Sequence, residues 1–150
     1  MARTSWLFLL ISICAGGCAD RYAVEMERKT LEAQNIPPVN YKPDLLAFMR
    51  TYLNNPDNVR NAAMSEPQKL IVEDTERYAA CLRYNTKNND GRYLGVRDHL
   101  AVFISGKFDR MIELGRSDRG GAGGERYRPL RDYCATAAYQ PFPELEQLHR

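Results

Sequence analysis

The stretch from His99 to Leu114 constrains the fold most. Its first part, His99–Ser105 (HLAVFIS), is apolar on both faces, which is typical of a central strand covered on both sides. Ser105 and Gly106 then form a tight-turn signal, because glycine accepts the positive φ that a two-residue hairpin turn requires. Phe108–Leu114 completes the hairpin, which predicts an antiparallel sheet with other elements packed on it.

The turn at residues 105–106 also sets the register of this hairpin. It places Phe103 opposite Phe108 as an aromatic cross-strand pair. Counting along the second strand from there predicts an apolar face made of Phe108, Ile112 and Leu114.

Two more strands are predicted upstream, a short one at Val59–Met64 and a longer one at Tyr78–Tyr84. Strict alternation in the longer strand divides its residues between two faces, Tyr78, Ala80, Leu82 and Tyr84 on one and Ala79, Cys81 and Arg83 on the other.

Helical periodicity flanks these strands. Asp44 is a good N-cap, and apolar residues then recur on one helical face, which predicts a helix over 44–54. A second helix is predicted over 130–138, starting near Pro129 and carrying Cys134 on its apolar face. The prolines of Tyr139–Pro143 favour extended backbone, and Glu144–Leu148 is interpreted as a last helical turn.

The predicted fold class is therefore α+β, a small antiparallel β-meander of three to four strands packed against one or two helices. The predicted core consists of the apolar residues that face each other in this arrangement: Leu45, Phe48, Met49, Tyr52, Leu82, Phe103, Phe108 and Ile112.

The amino-acid composition is typical of one folded domain, and the charge balance bears on whether nucleic acid is a partner. Of 150 residues, 44% are apolar and 27% are charged, close to the globular average. The 21 Lys and Arg residues nearly balance 19 Asp and Glu residues, for a net charge of +2. Because nucleic-acid binders usually concentrate positive charge on one face, no nucleic-acid partner is expected.

The first 17 residues predict a signal peptide. Arg3 supplies a short positive region, and Trp6–Cys14 is an apolar run followed by small residues. A transmembrane helix needs about 20 apolar residues, so this run is too short to be one. If this signal directs export, the residues that follow it fold in an oxidising compartment.

The residues Ala15-Gly16-Gly17-Cys18 resemble the lipobox of bacterial lipoproteins. In that family the signal is cut before the cysteine, so the resemblance implies a covalent diacylglycerol and an N-acyl lipid on Cys18, with no other cofactor. It also implies a location in the cell envelope, anchored to a membrane and facing the periplasm. Ala19 in place of a retention aspartate favours the outer membrane over the inner one. The alternative is a plain secreted protein cut after Ala19.

The predicted organisation has three parts: the signal at 1–17, the lipidated Cys18 with its tether at 18–42, and a globular domain at 43–150. The tether is interpreted as a coiled spacer with a short helix near Val24–Ala33. The alternative is a segment that becomes ordered on a partner.

The four cysteines divide by position. Cys14 leaves with the signal and Cys18 carries lipid, so Cys81 and Cys134 remain as an even pair that predicts a disulfide. The alternative is a redox pair or a metal site. With no CxxC motif and only two histidines in the chain, no metal site is predicted.

Residues 116–128 (RSDRGGAGGERYR) form a flexible Gly/Arg loop in this interpretation. Four arginines in it could contact an anionic envelope component such as lipid headgroups, namely Arg116, Arg119, Arg126 and Arg128. The alternative is a solvated loop without a ligand.

No catalytic residue is predicted, because the serine-hydrolase and zinc-protease motifs are both absent from the sequence. Glu73, Asp74 and Glu76 are interpreted as solvated loop charge. The spacing around Asn88–Gly91 does not fit a calcium loop, so this segment is interpreted as a polar hairpin turn. An enzyme would require His99 to converge with carboxylates in a cleft.

Several longer motifs carry a second resemblance: RYAACLRYN at 77–85, DGRY at 90–93, AVFISGKFD at 101–109 and AYQPFPEL at 138–145. Together with the lipobox they resemble a family of small alphaproteobacterial envelope lipoproteins. That resemblance implies an envelope location and no particular activity. The layout is also similar to that of small outer-membrane-assembly lipoproteins, although a shared layout does not establish function.

We therefore expect an envelope lipoprotein that acts as a non-enzymatic docking, structural or assembly protein for an envelope-protein or cell-wall partner. Tyr139 and Phe142, aromatic residues set among prolines, are the predicted partner surface. The alternative is a lipoprotein that binds a lipid or a small ligand in a pocket between helix and sheet. An enzyme is the third alternative.

Overall fold

The computed structural model of the protein describes residues 17–53, 56–115 and 125–149, the first four of them by their backbone alone. The chain divides between Ala33 and Gln34 into two units, and the second contains the whole sheet.

Helix α1, Gly17–Gln34, belongs to the first unit except for its last residue. This helix corrects the expectation of a mainly coiled tether over 18–42. Arg28 explains part of it, since its guanidinium pairs with Glu25 and Glu32 at helical spacing. Cys18 is the second residue of α1, and its acylation stays a prediction. None of the helices in the described ranges is both long enough and apolar enough to span a bilayer.

Helix α2, Tyr41–Tyr52, begins earlier than the predicted residue 44. Pro43 is accommodated inside its first turn, where backbone N–H groups have no partner within the helix. Leu45 and Met49 are fully buried as predicted, but Tyr52 is 38% exposed and is not a core residue. Tyr52 is the last residue of α2, where the helix reaches the end of the sheet. A single 3₁₀ turn follows at Pro56–Asn58.

In the described part of the chain the sheet is antiparallel throughout and has six strands. In chain order they are β1 (Arg60–Ser65), β2 (Gln68–Val72), β3 (Thr75–Asn85), β4 (Arg97–Ile104), β5 (Lys107–Glu113) and β6 (Tyr139–Pro141). Their order is β5-β4-β3-β1-β6, and β2 also pairs with β3. The α+β class is confirmed, whereas the predicted count of three to four strands was too low.

Two-residue turns close both tight hairpins of the sheet. Ser105 and Gly106, with φ of 53° and 74°, connect β4 to β5 as predicted. Glu73 and Asp74, with φ of 51° and 66°, connect β2 to β3 in the same left-handed region. These two acids therefore lie in a turn, but Glu76, expected in the same loop, belongs to β3 and lies 3.5 Å from the Lys69 Nζ.

A register shift in the β4–β5 hairpin changes which side chains share a face. Phe103 pairs with Phe108 as predicted, but Val102 pairs with Arg110, so Asp109 is an extra residue on β5. Beyond the shift, Ile112 and Leu114 lie on the face opposite to Phe108. The single apolar face predicted for Phe108, Ile112 and Leu114 is therefore wrong.

Each face of the sheet has its own apolar cluster. On one face α2 packs over a cluster that contains Leu82 and Phe103, both almost fully buried. Phe48 and Phe108 pack against this cluster, only partly buried, with their ring centroids 4.8 Å apart. Because both faces are covered, β3 and β4 can be apolar on each side.

The opposite face is covered by helix α3, Arg128–Thr136, close to the predicted 130–138. Cys134 of α3 forms a disulfide with Cys81 of β3, with the two Cα atoms 5.5 Å apart. The predicted bond is confirmed, and it joins the helix to the middle of the sheet. Both cysteines are fully buried.

The C-terminal segment completes the sheet and the first cluster. Strand β6 pairs with β1, and a one-turn helix α4, Pro143–Glu146, follows it. The Phe142 N–H donates to the Ala62 carbonyl at 2.9 Å, and the Phe142 side chain is fully buried with Leu145. Phe142 therefore does not belong to an exposed partner surface, which corrects the docking strip expected from the sequence.

Candidate functional site

A half-open pocket of about 310 Å³ lies at one end of the sheet. It is bounded by the C-terminal end of α2, the ends of β3, β4 and β5, and the loop that joins β3 to β4. Six of the lining side chains carry its chemistry: Tyr52, Tyr84, Lys87, Arg97, His99 and Glu113.

Strand register brings four of these side chains together. Tyr84 pairs with Arg97 across β3 and β4, and His99 pairs with Glu113 across β4 and β5. Alternate residues of a strand share a face, so Arg97 and His99 point to the same side of the sheet. Tyr52 reaches this group from the last turn of α2.

The base of the pocket is a buried pair, Tyr84 and His99. The Tyr84 hydroxyl lies 3.2 Å from the His99 Nε2, and the two rings stack with centroids 4.5 Å apart. Burial raises the pKa of Tyr84 far above its usual value, so the phenol keeps its proton. Burial also lowers the pKa of His99, which favours the neutral imidazole. We infer that Tyr84 donates and that Nε2 accepts.

This pairing limits what His99 can do chemically. Its Nε2 lone pair is engaged by the phenol, and the side chain is 4% exposed. A general base needs a free lone pair within reach of the proton that it removes. The structure does bring His99 and Glu113 onto one face of a cleft, which is the convergence that an enzyme would require. The arrangement as it stands is suited to holding a ligand more than to moving a proton.

The Glu113 carboxylate lies at the rim of the pocket, and one of its two oxygens is hydrogen-bonded. The Tyr52 hydroxyl donates to Oε1 of Glu113 at 3.0 Å. Burial first, and then this hydrogen bond and the negative charge of Glu113, raise the pKa of Tyr52 to about 12. Glu113 Oε2 accepts no hydrogen bond from any residue that the structure describes. One oxygen of the carboxylate is thus available to a ligand.

Two cations, Lys87 and Arg97, line the same pocket. Lys87 donates from Nζ to the Asn58 Oδ1 at 3.2 Å and lies over the Tyr93 ring. Arg97 is exposed, and within the described ranges its side chain makes neither a hydrogen bond nor an ion pair. Its guanidinium is therefore an unengaged cationic donor group in the pocket.

The loop that closes the pocket is held by its own hydrogen bonds. Asn88 Oδ1 accepts from the backbone N–H groups of Asp90 and Arg92, at 3.1 and 2.9 Å. Lys87 and Tyr93 form an isolated antiparallel bridge. The polar hairpin loop predicted at Asn88–Gly91 is confirmed, and it forms an ordered wall of the pocket.

Most residues singled out from the sequence lie elsewhere. Tyr139, half-buried on β6, has the Arg83 guanidinium over its ring at 4.3 Å. Of the Gly/Arg loop, Arg116 and Arg119 lie outside the described residues. Arg126, just before α3, and Arg128, its first residue, are both exposed, so anion contact by this loop stays a prediction. In the part of the chain that the structure describes, no group of three or more His, Cys, Asp or Glu residues could hold a metal ion.

Sequence reasoning missed this pocket for an identifiable reason. Continuing the hairpin register from Phe103 and Phe108 without a bulge places Ile112, not Glu113, opposite His99. Tyr52 fell on the apolar stripe of a helix and was assigned to the core. The one usable signal was His99 itself, a polar residue at the start of an apolar strand.

Comparison of the chain with protein-family models, with curated proteins and with solved structures finds no match. The geometry of the pocket is therefore the basis for a proposed function.

The buried imidazole should make stability depend on pH. Because the pKa of His99 is lower in the folded than in the unfolded chain, where it is near 6.5, protons bind the unfolded state more tightly. At pH values above about 6.5 His99 gives the free energy of unfolding no pH dependence. As the pH drops below about 6.5, the free energy of unfolding falls by up to about 1.4 kcal/mol per pH unit. Glu113, a hydrogen bond to the Arg97 backbone and Asp98 oppose this lowering of the His99 pKa, and the charge of Arg97 adds to it.

Urea unfolding at pH 7.5, 6.5 and 5.5 measures this dependence. The variant His99→Gln should flatten the profile, whereas His149→Gln, which changes an exposed residue, should leave it as in the wild type. An unchanged slope in His99→Gln would show that the imidazole is not the titrating group.

Proposed function

We propose that the protein is a lipid-anchored envelope protein whose folded domain binds a small molecule by its carboxylate or phosphate group in the pocket at the end of the sheet. The observation that carries this proposal is the unengaged Arg97 guanidinium at the rim of a half-open pocket with a buried Tyr84–His99 base. Arginine presents a planar fork of donors that suits carboxylate or phosphate oxygens.

The size and lining of the pocket support a small polar ligand. A volume of about 310 Å³ is at the lower end of the range for small-molecule sites. With two cations and one carboxylate in the lining and a neutral His99, the pocket has an excess of one positive charge. An acyl chain would have to lie against these charged groups at a desolvation cost, so we favour a small anion over a lipid.

Small-molecule binding has more support than the docking role expected from the sequence. That role depended on Tyr139 and Phe142 as an exposed aromatic strip. Phe142 is buried in the core, and the Tyr139 ring is covered by Arg83 on one side. The docking role is therefore left without a surface to which it can be assigned. The pocket, in contrast, offers a cavity and the Arg97 guanidinium, which has no partner among the described residues.

Titration of the isotopically labelled protein by NMR tests the proposal. The probes are N-acetyl-L-alanine for a carboxylate and glycerol 3-phosphate for a phosphate. We expect saturable shifts of the pocket residues with at least one probe, and about tenfold weaker binding in Arg97→Gln. Arg50→Gln, which removes an exposed arginine outside the pocket, is the matched control and should bind as the wild type does. The absence of saturable shifts with both of these probes and with a free amino acid, which also carries a carboxylate, would refute the proposal.

The anchor is tested separately. If Cys18 is acylated, the wild-type protein should sediment with membranes and carry an acylated N-terminus, since two or more acyl chains give stable attachment. Cys18→Ser should release the protein or leave the precursor uncut. Cys14→Ser, inside the predicted signal, is the control and should change neither fractionation nor mass. A mature N-terminus at Asp20 in the wild type, found by mass spectrometry, would contradict lipidation.

A further inference from the structure

The pocket contains opposite charges that do not neutralise each other. Arg97 and Glu113 both line it, on the same face of neighbouring strands. His99 lies between them in register, since it follows Arg97 by two residues on β4 and pairs directly with Glu113. Diagonal neighbours of this kind have backbones about 7–8 Å apart, within reach of long side chains.

The two side chains nevertheless form no ion pair within 4.0 Å. Arg97 has no partner among the described residues, and Glu113 keeps Oε2 free while Oε1 is bound by Tyr52. A guanidinium and a carboxylate that share a pocket without meeting leave room for a ligand between them. Such a ligand would need a negative group facing Arg97 and a positive group facing Glu113.

Resting on the proposed function, we propose that the ligand of this pocket is a small zwitterion, a free amino acid or a short peptide with both termini free. Its carboxylate pairs with the Arg97 guanidinium, and its ammonium group donates to the Glu113 Oε2. The stacked Tyr84 and His99 rings form the apolar base beneath the ligand backbone.

The surrounding groups fit this assignment. Tyr52 fixes the Glu113 carboxylate by donating to its other oxygen, so the acceptor is positioned before the ligand arrives. His99 is neutral and does not compete with the ammonium group for Glu113. Lys87 uses one of its three N–H donors on Asn58, whereas the whole guanidinium fork of Arg97 is without a partner among the described residues and suits a carboxylate better.

Calorimetric and NMR titrations of the full folded protein test the inference with four probes. They are L-alanine, L-alanyl-L-alanine, N-acetyl-L-alanine and L-alaninamide. The acetyl group removes the ammonium charge, and the amide removes the carboxylate charge. We expect at least one zwitterion to bind about tenfold or more tightly than both of the blocked probes. The stronger of the two zwitterions decides between a free amino acid and a peptide.

Two charge-neutral variants assign the contacts. Arg97→Gln should weaken the zwitterion and N-acetyl-L-alanine alike, by about tenfold. Glu113→Gln should weaken the zwitterion and L-alaninamide but not N-acetyl-L-alanine. Glu144→Gln, which changes an exposed acid on α4 outside the pocket, is the matched control for Glu113.

The outcomes separate the two proposals. Equal binding of zwitterion and N-acetyl-L-alanine, with no effect of Glu113→Gln, would overturn the zwitterion and leave an anion-binding pocket. Binding of glycerol 3-phosphate alone would also overturn it. If none of the carboxylate and phosphate probes binds, both the proposed function and this inference fail.

Discussion

Replacing Cys81 and Cys134 together by alanine should lower the free energy of unfolding by about 4 kcal/mol. The disulfide closes a loop of 53 residues, and cross-linking a loop of that length removes this much entropy from the unfolded chain in the chain-entropy model. A domain of this size is commonly stable by only about 5–15 kcal/mol, so the loss is large. Denaturant unfolding of the double variant beside the oxidised wild type measures it.

The double replacement avoids a buried free thiol, which a single variant would leave behind. Reduction of the wild-type protein gives an independent version of the same change and should agree in direction. A loss below about 1 kcal/mol in both experiments would show that the link between β3 and α3 adds little to stability.

Phe142→Ala should be destabilising by about 3–5 kcal/mol, because it leaves a cavity under a fully buried ring. The ring packs between α2 and the sheet, and Lys42 Nζ lies 5.6 Å from its centroid. Ile71→Ala, on a side chain that is 64% exposed, is the control and should change stability by less than about 0.5 kcal/mol. Thermal and urea unfolding of both variants measure the difference.

This experiment also decides between two interpretations of the C-terminal segment. A large loss of stability assigns Phe142 to the core. Unchanged stability together with lost capture of a partner would restore the docking strip inferred from the sequence.

What the sequence predicted correctly depended on short-range rules. Alternation over Tyr78–Tyr84 assigned the two faces of β3, and that assignment placed Cys81 on the side where α3 carries Cys134. The β4–β5 turn was predicted because Ser105 and Gly106 fit the backbone that the turn needs.

The errors lie where local signals are weak or ambiguous. Glu73 adopts a left-handed backbone conformation that glutamate rarely takes. The sequence therefore contains no typical turn signal for the β2–β3 hairpin. The extra residue at Asp109 leaves no pattern of its own, yet it moves Ile112 to the other face and brings Glu113 to the pocket.

The burial of Phe142 could not be predicted from the residues next to it in the sequence. An aromatic residue between two prolines is compatible with an exposed recognition strip and with a buried edge strand. Pairing of β6 with β1 decides between them, and that pairing joins Tyr139 to Ser65 across most of the domain.

The position of β6 determines the order in which the domain is able to fold. The hairpins β2–β3 and β4–β5 join neighbouring segments and close short loops, which is fast. The β1–β6 ladder joins Ala63 to Pro141, so one edge of β1 stays unpaired until residues 139–141 have been synthesised. An unpaired edge is a template for association between chains. A chain shortened before Tyr139 would keep that edge open permanently, and its excess aggregation over the full-length chain would be measurable by light scattering during refolding.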